Sequence, residues 1–426
     1  GHSMGGHGTW HLAANDPDGF AAIAPSAGWS QFDHYGGRPD QARRQPWYGA
    51  DAASDTLSLV ANLVQVPAYV LHGTADDNVP PSEAERMLAA LRGAGAAPEA
   101  HFQEGAGHWW DGDVAEGADC VDWPPIFELF RRSRIPAAPR RIHLTTVDPG
   151  VDAVHHWLRV EQPLEYGRRV RVDGAWSPAE GLVELATENA ALLHVTWPGE
   201  GGLRRVVVDG RELTLDAPRD ALWLRRGGGA WGAVAGPAAG EKTAAVSGPF
   251  KRGFGRRFVL VTGTAGTAAE TAELLARARH DACTWRYRAN GRAEVVRDVD
   301  AATLDLAGRN VVLYGNADSN AAWERFVGAG SLVSARRGAL TLGRQTWERD
   351  DLAALFVRPR ADDPSALVAC FTDTGPRGTR LHGALLTFVS GVGYPDYAVY
   401  GPDVFRDGDG GVLAAGWFDA AWRLPD

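Results

Sequence analysis

The chain has 426 residues, of which 45% are hydrophobic and 23% charged, which is apolar material for more than one core, so two or three domains are expected. Its formal net charge of −10 is spread along the sequence without a basic stripe, which argues against a nucleic-acid partner, and no apolar run approaches the ~18 residues of a membrane-spanning helix. Cys120, Cys283 and Cys370 are widely spaced with no C-x-x-C pair, so neither a disulfide framework nor a zinc site is suggested.

In chain order, the first stretch is Gly1-His2-Ser3-Met4-Gly5-Gly6. G-x-S-x-G spacing lets a serine occupy a strained strand-to-helix turn, and the glycines are expected because side chains at Gly1 and Gly5 would clash with neighbouring backbone. Met4 to Asn15 reads as a helix that stops at Asp16-Pro17. Phe20 to Ala24 is a short apolar run that suits a buried parallel strand. Trp29 to Asp55 is a long excursion with aromatic Phe32, Tyr35, Trp47 and Tyr48, composed like a loop that walls a pocket. Val66 to Leu71 predicts a second buried strand running into His72-Gly73-Thr74-Ala75-Asp76-Asp77-Asn78-Val79-Pro80, and Pro81 to Arg92 a helix with Met87, Leu88 and Leu91 on one side. Glu99 to Gln103 predicts a third strand, ending at Glu104-Gly105-Ala106-Gly107-His108-Trp109-Trp110, and Pro124 to Arg132 a further helix.

The carboxyl ends of strands in an open parallel sheet converge on one edge, so Ser3, Asp76 and His108 are expected to meet there. The elbow, the His72–Pro80 segment and Gly105-Ala106-Gly107-His108, in that order and spacing, resemble the C-terminal half of an α/β-hydrolase, and most of all the prolyl oligopeptidase-type serine peptidases. The resemblance implies a partial α/β-hydrolase sheet over residues 1–135 and selects Asp76 over Asp77, because the family's aspartate stands three residues before the valine. It implies a catalytic triad, with Ser3 as nucleophile and His108 as its base. Asp76 would fix the imidazole tautomer, and the Met4 backbone N–H would donate to the oxyanion. Met4 after the serine is found in many esterases, so a carboxylesterase using the same residues stands beside the peptidase. The strand that delivers Ser3 and the second oxyanion donor would lie upstream, so this polypeptide alone is expected to have little activity.

Other features have plainer readings. His7 and His11 are four apart but lack a third ligand, so they read as a helix face, and neither a metal nor a cofactor is expected. His72 reads as structural, and Trp109-Trp110 as packing beside the histidine loop. Asp111, Asp113, Glu116, Asp119 and Asp122 read as a solvated acidic loop able to favour cationic substrates.

Pro136-Ala137-Ala138-Pro139 reads as a linker. Residues 140–235 alternate with period two, including His155-His156-Trp157-Leu158-Arg159-Val160, and predict an antiparallel β-sandwich-like domain with a hairpin turn at Asp209-Gly210. After a Gly- and Pro-containing junction over residues 235–255, residues 255–426 alternate strand and helix again, as a small α/β domain. There Arg257 to Val261 and Asn310 to Tyr314 predict strands, each followed by a helix, Thr267 to His280 and Ser319 to Phe326; later strands are expected near 366–372, 397–400 and 412–418. Gly263-Thr264-Ala265-Gly266 lacks both G-x-G-x-x-G and a P-loop lysine and reads as a glycine turn. The leading expectation is a serine peptidase acting on a peptide or ester substrate, without nucleic acid or membrane. A reading of another class makes the C-terminal residues a binding or structural module beside a vestigial hydrolase half. Localisation is open.

Overall fold

The computed structural model describes residues 1–35, 46–112, 114 and 117–425. It forms two compact units, Gly1–Arg43 with Ala52–Pro237, and Arg44–Asp51 with Ala238–Asp426.

In the first unit the helix Met4–Asn15 buries Trp10, Ala13 and Ala14 against Leu59, Leu63, Met87 and Leu91. Strand β1 (Tyr69–Gly73) pairs in parallel with β2 (Glu99–Gln103), from Tyr69 opposite Glu99 to Gly73 opposite Gln103. The apolar run expected to form a strand at Phe20–Ala24 makes only isolated parallel bridges, Ile23 to Ala68, Ser26 to Leu71 and His2 to Ser26. Pro25 is the reason. The Ile23 and Ala27 amides donate to Pro67 and Leu71 across the β1 side, but Pro25 between them has no N–H to give, so the ladder is interrupted. The extended segment still carries Ser26 to the same edge as the ends of β1 and β2.

The sandwich consists of two five-stranded sheets. One holds β3 (Arg141–Thr146), β6 (Val170–Ser177), β7 (Leu182–Glu188), β9 (Leu203–Val208) and β10 (Arg211–Arg219); the other holds β4 (Val154–His155), β5 (Leu158–Pro163), β8 (Ala190–Thr196), β11 (Ala221–Gly227) and β12 (Ala230–Val234). Inward positions of both sheets, among them Ile142, Trp157, Val172, Leu193, Val206 and Leu224, share one core. The sheets are not wholly antiparallel: β7 and β9 pair in parallel, because β8 crosses to the opposite sheet between them. Asp209 and Gly210 both take positive φ, 50° and 77°, as the expected two-residue hairpin between β9 and β10 requires. His155 to Val160 is not one strand, for β4 and β5 are the arms of a hairpin that turns at His156-Trp157.

The second unit is built on a seven-stranded mixed sheet. Its order is β14 (Glu294–Arg297), β13 (Phe258–Thr262), β15 (Asn310–Tyr314), β20 (Leu367–Asp373), β19 (Ala353–Pro359), β21 (Tyr397–Tyr400) and β22 (Val412–Gly416). The first four are parallel and the rest join antiparallel. The helix after β13 runs from Ala268 to Ala289, past the expected end at His280, whereas only Trp323–Phe326 of the next expected helix is α-helical. β14, β19 and the meander β16 (Val333–Arg336), β17 (Ala339–Leu342) and β18 (Gln345–Trp347) were not anticipated. Residues 238–254 pack into this unit: Lys242 is fully buried on Asp396, and Phe250 lies in the core.

Candidate active site

The elbow is set by backbone first. Ser3 sits at φ 57°, ψ −118°, a region a side chain enters only when its surroundings hold it there. The Ser26 amide donates to the Gly1 carbonyl at 2.9 Å and the Ser3 amide to the Ser26 carbonyl at 2.8 Å, which fixes the entry. The helix then starts at Met4, whose N–H lies in the first turn, where intrahelical partners are lacking.

A Cβ on Gly1 would fall 2.6 Å from the Gly5 carbonyl oxygen, as expected. Gly5 differs from the expectation, because a Cβ there meets nothing within 4 Å. The crowded partner is Gly6, whose Cβ would lie 2.4 Å from the Ser26 carbonyl oxygen and 2.8 Å from the Gly28 Cα. Gly6 and Gly28 let the helix cross the 23–28 segment at backbone contact.

Asp76 and His108 stand on the loops that follow β1 and β2, and backbone contact joins those loops too. A Cβ on Gly73 would come 2.4 Å from the carbonyl oxygens of both Ala106 and Gly107, while the Ala75 amide donates to Ala106 at 2.8 Å and the Gly105 amide to the Thr74 hydroxyl at 2.8 Å. Asp76 Oδ1 accepts from the Asn78 and Val79 amides, both at 2.9 Å. That leaves Oδ2 for His108 Nδ1, 2.8 Å away, with both side chains nearly or fully buried. His72 Nε2 lies 2.8 Å from the Val79 carbonyl and 3.3 Å from Asp76 Oδ2, so this buried histidine packs beneath the carboxylate.

His2 is a member of the neighbourhood that sequence reasoning missed. Its ring centroid is 4.7 Å from that of His108 and 4.0 Å from that of Trp109. Its Nδ1 meets the Ser26 hydroxyl at 3.0 Å, and Ser26 Oγ donates to the Cys120 carbonyl at 2.5 Å. Burial, with the neighbouring His108 adding to it, pushes the His2 pKa down to about 4, so the ring is neutral near pH 7. The structure thus joins His108 to Asp76 and sets the ring of His2, the residue before Ser3, against that of His108. Among the described residues the Ser3 hydroxyl makes no hydrogen bond to His108.

Residues 1–120, which contain all of these groups, match the model of the prolyl oligopeptidase family. It is this segment that resembles the family. The whole chain aligns with an uncharacterised secreted protein of Arthroderma benhamiae at 24% identity over 454 residues, covering 100% of this chain and 46% of the relative. The chain therefore spans about half the length of the curated relative it matches. Among solved structures it is similar to the acylaminoacyl peptidase of Pyrococcus horikoshii, with 18% identity, 32% of this chain, 23% of that one and a TM-score of 0.25. It is also similar to a puromycin-hydrolysing peptidase of Mycobacterium tuberculosis, with 23% identity, 30% of this chain, 20% of that one and a TM-score of 0.24.

Around the prolyl oligopeptidase-type segment, Trp110 packs on Trp123 at 5.7 Å, and Trp109, although 66% exposed, lies on His2 at 4.0 Å and edge-on to His108 at 5.9 Å, so both tryptophans pack beside the histidine loop. His7 stacks on Trp29 at 4.8 Å and its Nδ1 meets the Trp29 carbonyl, a packed helix face as expected. Of the pocket-walling excursion, Trp29, Phe32 and Tyr35 stack together, and residues 36–45 lie outside the described residues. Of the acidic run, Asp119 and Asp122 accept from the Gly112 and Ala118 amides of their own loop, and Asp113 and Glu116 lie outside the described residues.

Proposed function

We propose that Ser3, His108 and Asp76 form the triad of a serine hydrolase that cleaves peptide or related acyl bonds through an acyl-enzyme. The observation that carries this reading is the Ser3 backbone at φ 57° at the start of the first helix, next in sequence to His2, whose ring lies against the buried His108–Asp76 pair joined at 2.8 Å. With Asp76 accepting from Nδ1–H, the His108 tautomer leaves its Nε2 lone pair to take the Ser3 proton as Oγ attacks the carbonyl carbon. The same nitrogen then returns the proton to the leaving amine or alcohol, and water repeats the cycle on the acyl-enzyme. The Met4 N–H donates to the oxyanion, an interaction worth about 3 kcal/mol of barrier in comparable sites. Neutral His2 places no competing positive charge beside the imidazolium that forms.

Fluorophosphonate labelling of the chain, alone and extended to the length of its curated relative, tests the proposal. Labelling that disappears in Ser3→Ala is expected; labelling unchanged in that variant, or absent from both forms, would end it. Turnover of a p-nitrophenyl ester against a peptide amide then distinguishes esterase from peptidase.

A further inference from the structure

The hairpin between β4 and β5 does something that strand geometry alone would forbid. Side chains of successive strand residues point to opposite faces, so His155 and His156 should diverge. Instead His156 adopts φ 51°, which turns its ring back toward that of His155, with centroids 4.9 Å apart. The following Trp157 is buried in the sandwich core and donates to the Pro139 carbonyl at 2.9 Å, so the turn is anchored from behind. Both rings face Asp18, in the single 3-10 turn Pro17–Gly19 that follows the first helix. His155 Nδ1 lies 2.7 Å from Asp18 Oδ1, and His156 Nε2 lies 3.3 Å from the same oxygen. The His156 amide donates to Asp18 Oδ2, which fixes the carboxylate with Oδ1 turned toward the rings. Among the described residues no lysine or arginine pairs with Asp18, and these three are the one group of histidine, cysteine and carboxylate ligand atoms that gathers within 4.8 Å.

From this arrangement we infer that Asp18, His155 and His156 bind a divalent transition-metal ion of the zinc type, clipping the turn after the first helix to the β4–β5 hairpin. Two imidazole nitrogens and one carboxylate oxygen are the donor set such ions prefer. Ligand atoms at about 2.0–2.1 Å from a tetrahedral ion stand about 3.3 Å apart; the His156–Asp18 separation is 3.3 Å, and the His155–Asp18 separation of 2.7 Å would open slightly to admit the ion. The backbone bond from His156 to Asp18 is the outer hydrogen bond that orients a ligating carboxylate. Three protein ligands leave the remaining position to water, and the contacts join residues 137 apart in sequence, so the ion acts as a cross-link within this unit.

The test is zinc titration of the chelator-treated 426-residue chain by calorimetry, with cobalt(II) absorption as the reading of coordination geometry. One equivalent of zinc, a rise in Tm on zinc addition, and visible cobalt bands of a four-coordinate site are expected. His155→Ala/His156→Ala should weaken binding by about 100-fold or more and abolish the bands, with Asp18→Asn losing about tenfold or more; the His7→Ala/His11→Ala variant should bind as the parent does. Should the double alanine variant fail to fold, Asp18→Asn, which keeps the side-chain shape, decides the matter alone. Absence of stoichiometric binding to the parent chain, or binding unaltered in Asp18→Asn, would overturn the site and leave an Asp18–histidine hydrogen-bond cluster.

Discussion

The elbow at Ser3 and the turn at Gly263 are built alike and end differently. In each, paired backbone (a single His2–Ser26 bridge at the first, strand β13 at the second) runs into a tight turn, a helix begins, and a glycine passes over backbone: a Cβ would lie 2.4 Å from the Ser26 carbonyl oxygen at Gly6 and 2.4 Å from the Ser319 carbonyl oxygen at Gly263. The difference lies in what the donors at the helix start do. At the second turn Thr267 caps the helix by accepting from the Glu270 amide, and the Glu270 carboxylate accepts in return from the Thr267 amide at 2.6 Å. Arg337 holds that carboxylate with bonds of 2.7 and 2.9 Å, and the Thr264 amide is taken by Asp298. At the first turn Ser3 stands in the N-cap place, where serine ordinarily caps, yet it makes no capping bond. The positive φ accompanies an uncapped helix start, where the Gly5 amide is taken by the His2 carbonyl at 2.8 Å and the Ser3 hydroxyl makes no capping bond. If Ser3 is the nucleophile proposed above, the uncapped helix start is what separates it from the Gly263 turn.

The largest effects should come from removing what the first turn leaves free. Ser3→Ala is expected to abolish fluorophosphonate labelling. Asp76→Asn should lower turnover by about 10⁴-fold, since the wrong imidazole tautomer then faces Ser3. A loss below about tenfold in Asp76→Asn, measured as kcat/KM on an activated ester, would mean that the buried pair serves the fold and not the reaction.

Next come the glycines of the crossing. Gly6→Ala sets a Cβ against backbone on two sides and should cost about 3 kcal/mol or more, as overpacking without a flexible neighbour does. Gly5→Ala meets open space inside a helix and should raise stability by about 0.5–1 kcal/mol. Thermal unfolding of the two variants reads the contrast; equal Tm values would deny that Gly6 is the tight position.

The same contrast shows what could be read beforehand. The Met4–Asn15 helix, β2 and the Asp209-Gly210 turn carry their signals locally, in periodicity and turn chemistry. That Asp76 and His108 stand after strands was legible in the apolar runs before them, whereas the choice of Asp76 over Asp77 rested on the resemblance alone. What escaped depends on partners far along the chain. Gly6 is tight only because Gly28 lies under it, and His2 matters only because Ser26 and His108 are its neighbours. β7 and β9 pair in parallel only because β8 leaves the sheet, and Asp18 is far in sequence from the histidines it meets. Pro25 was the exception, a local signal directly after the apolar run, whose missing N–H breaks the ladder.

Two carboxyls of the second unit, Asp373 and Glu270, sharpen the comparison through pH. Burial pushes the Asp373 pKa up to about 7, although the Gly375 amide donates to its Oδ1. Between the ordinary value of 3.8 and about 7 the folded state holds more protons than the unfolded one, so stability should fall as pH rises through that window. Asp373→Asn should flatten this dependence, followed as Tm from pH 4 to pH 8; a wild-type curve that rises over the same range would refute the assignment.

Glu270 should act with the opposite sign and a smaller effect, because its partner Arg337 is about half exposed and solvent screens the pair. Arg337 foremost, with the Thr267 cap, draws the Glu270 pKa down to about 2 from 4.5. The folded state therefore stays ionised where the unfolded one takes up a proton. Its contribution is complete above pH 4.5 and is lost as pH falls toward 2. Arg337→Ala should shrink that acid-side loss while leaving the capping bonds of Thr267 in place. Glu270→Gln should remove it altogether and free the charge that closes the helix start. Denaturation midpoints of the three proteins between pH 2 and pH 6 should converge at the acid end. Midpoints that stay apart by the same amount at pH 2 as at pH 6 would show that the carboxylate holds the turn by shape alone, and the contrast with Ser3 would then rest on packing and not on satisfied donors.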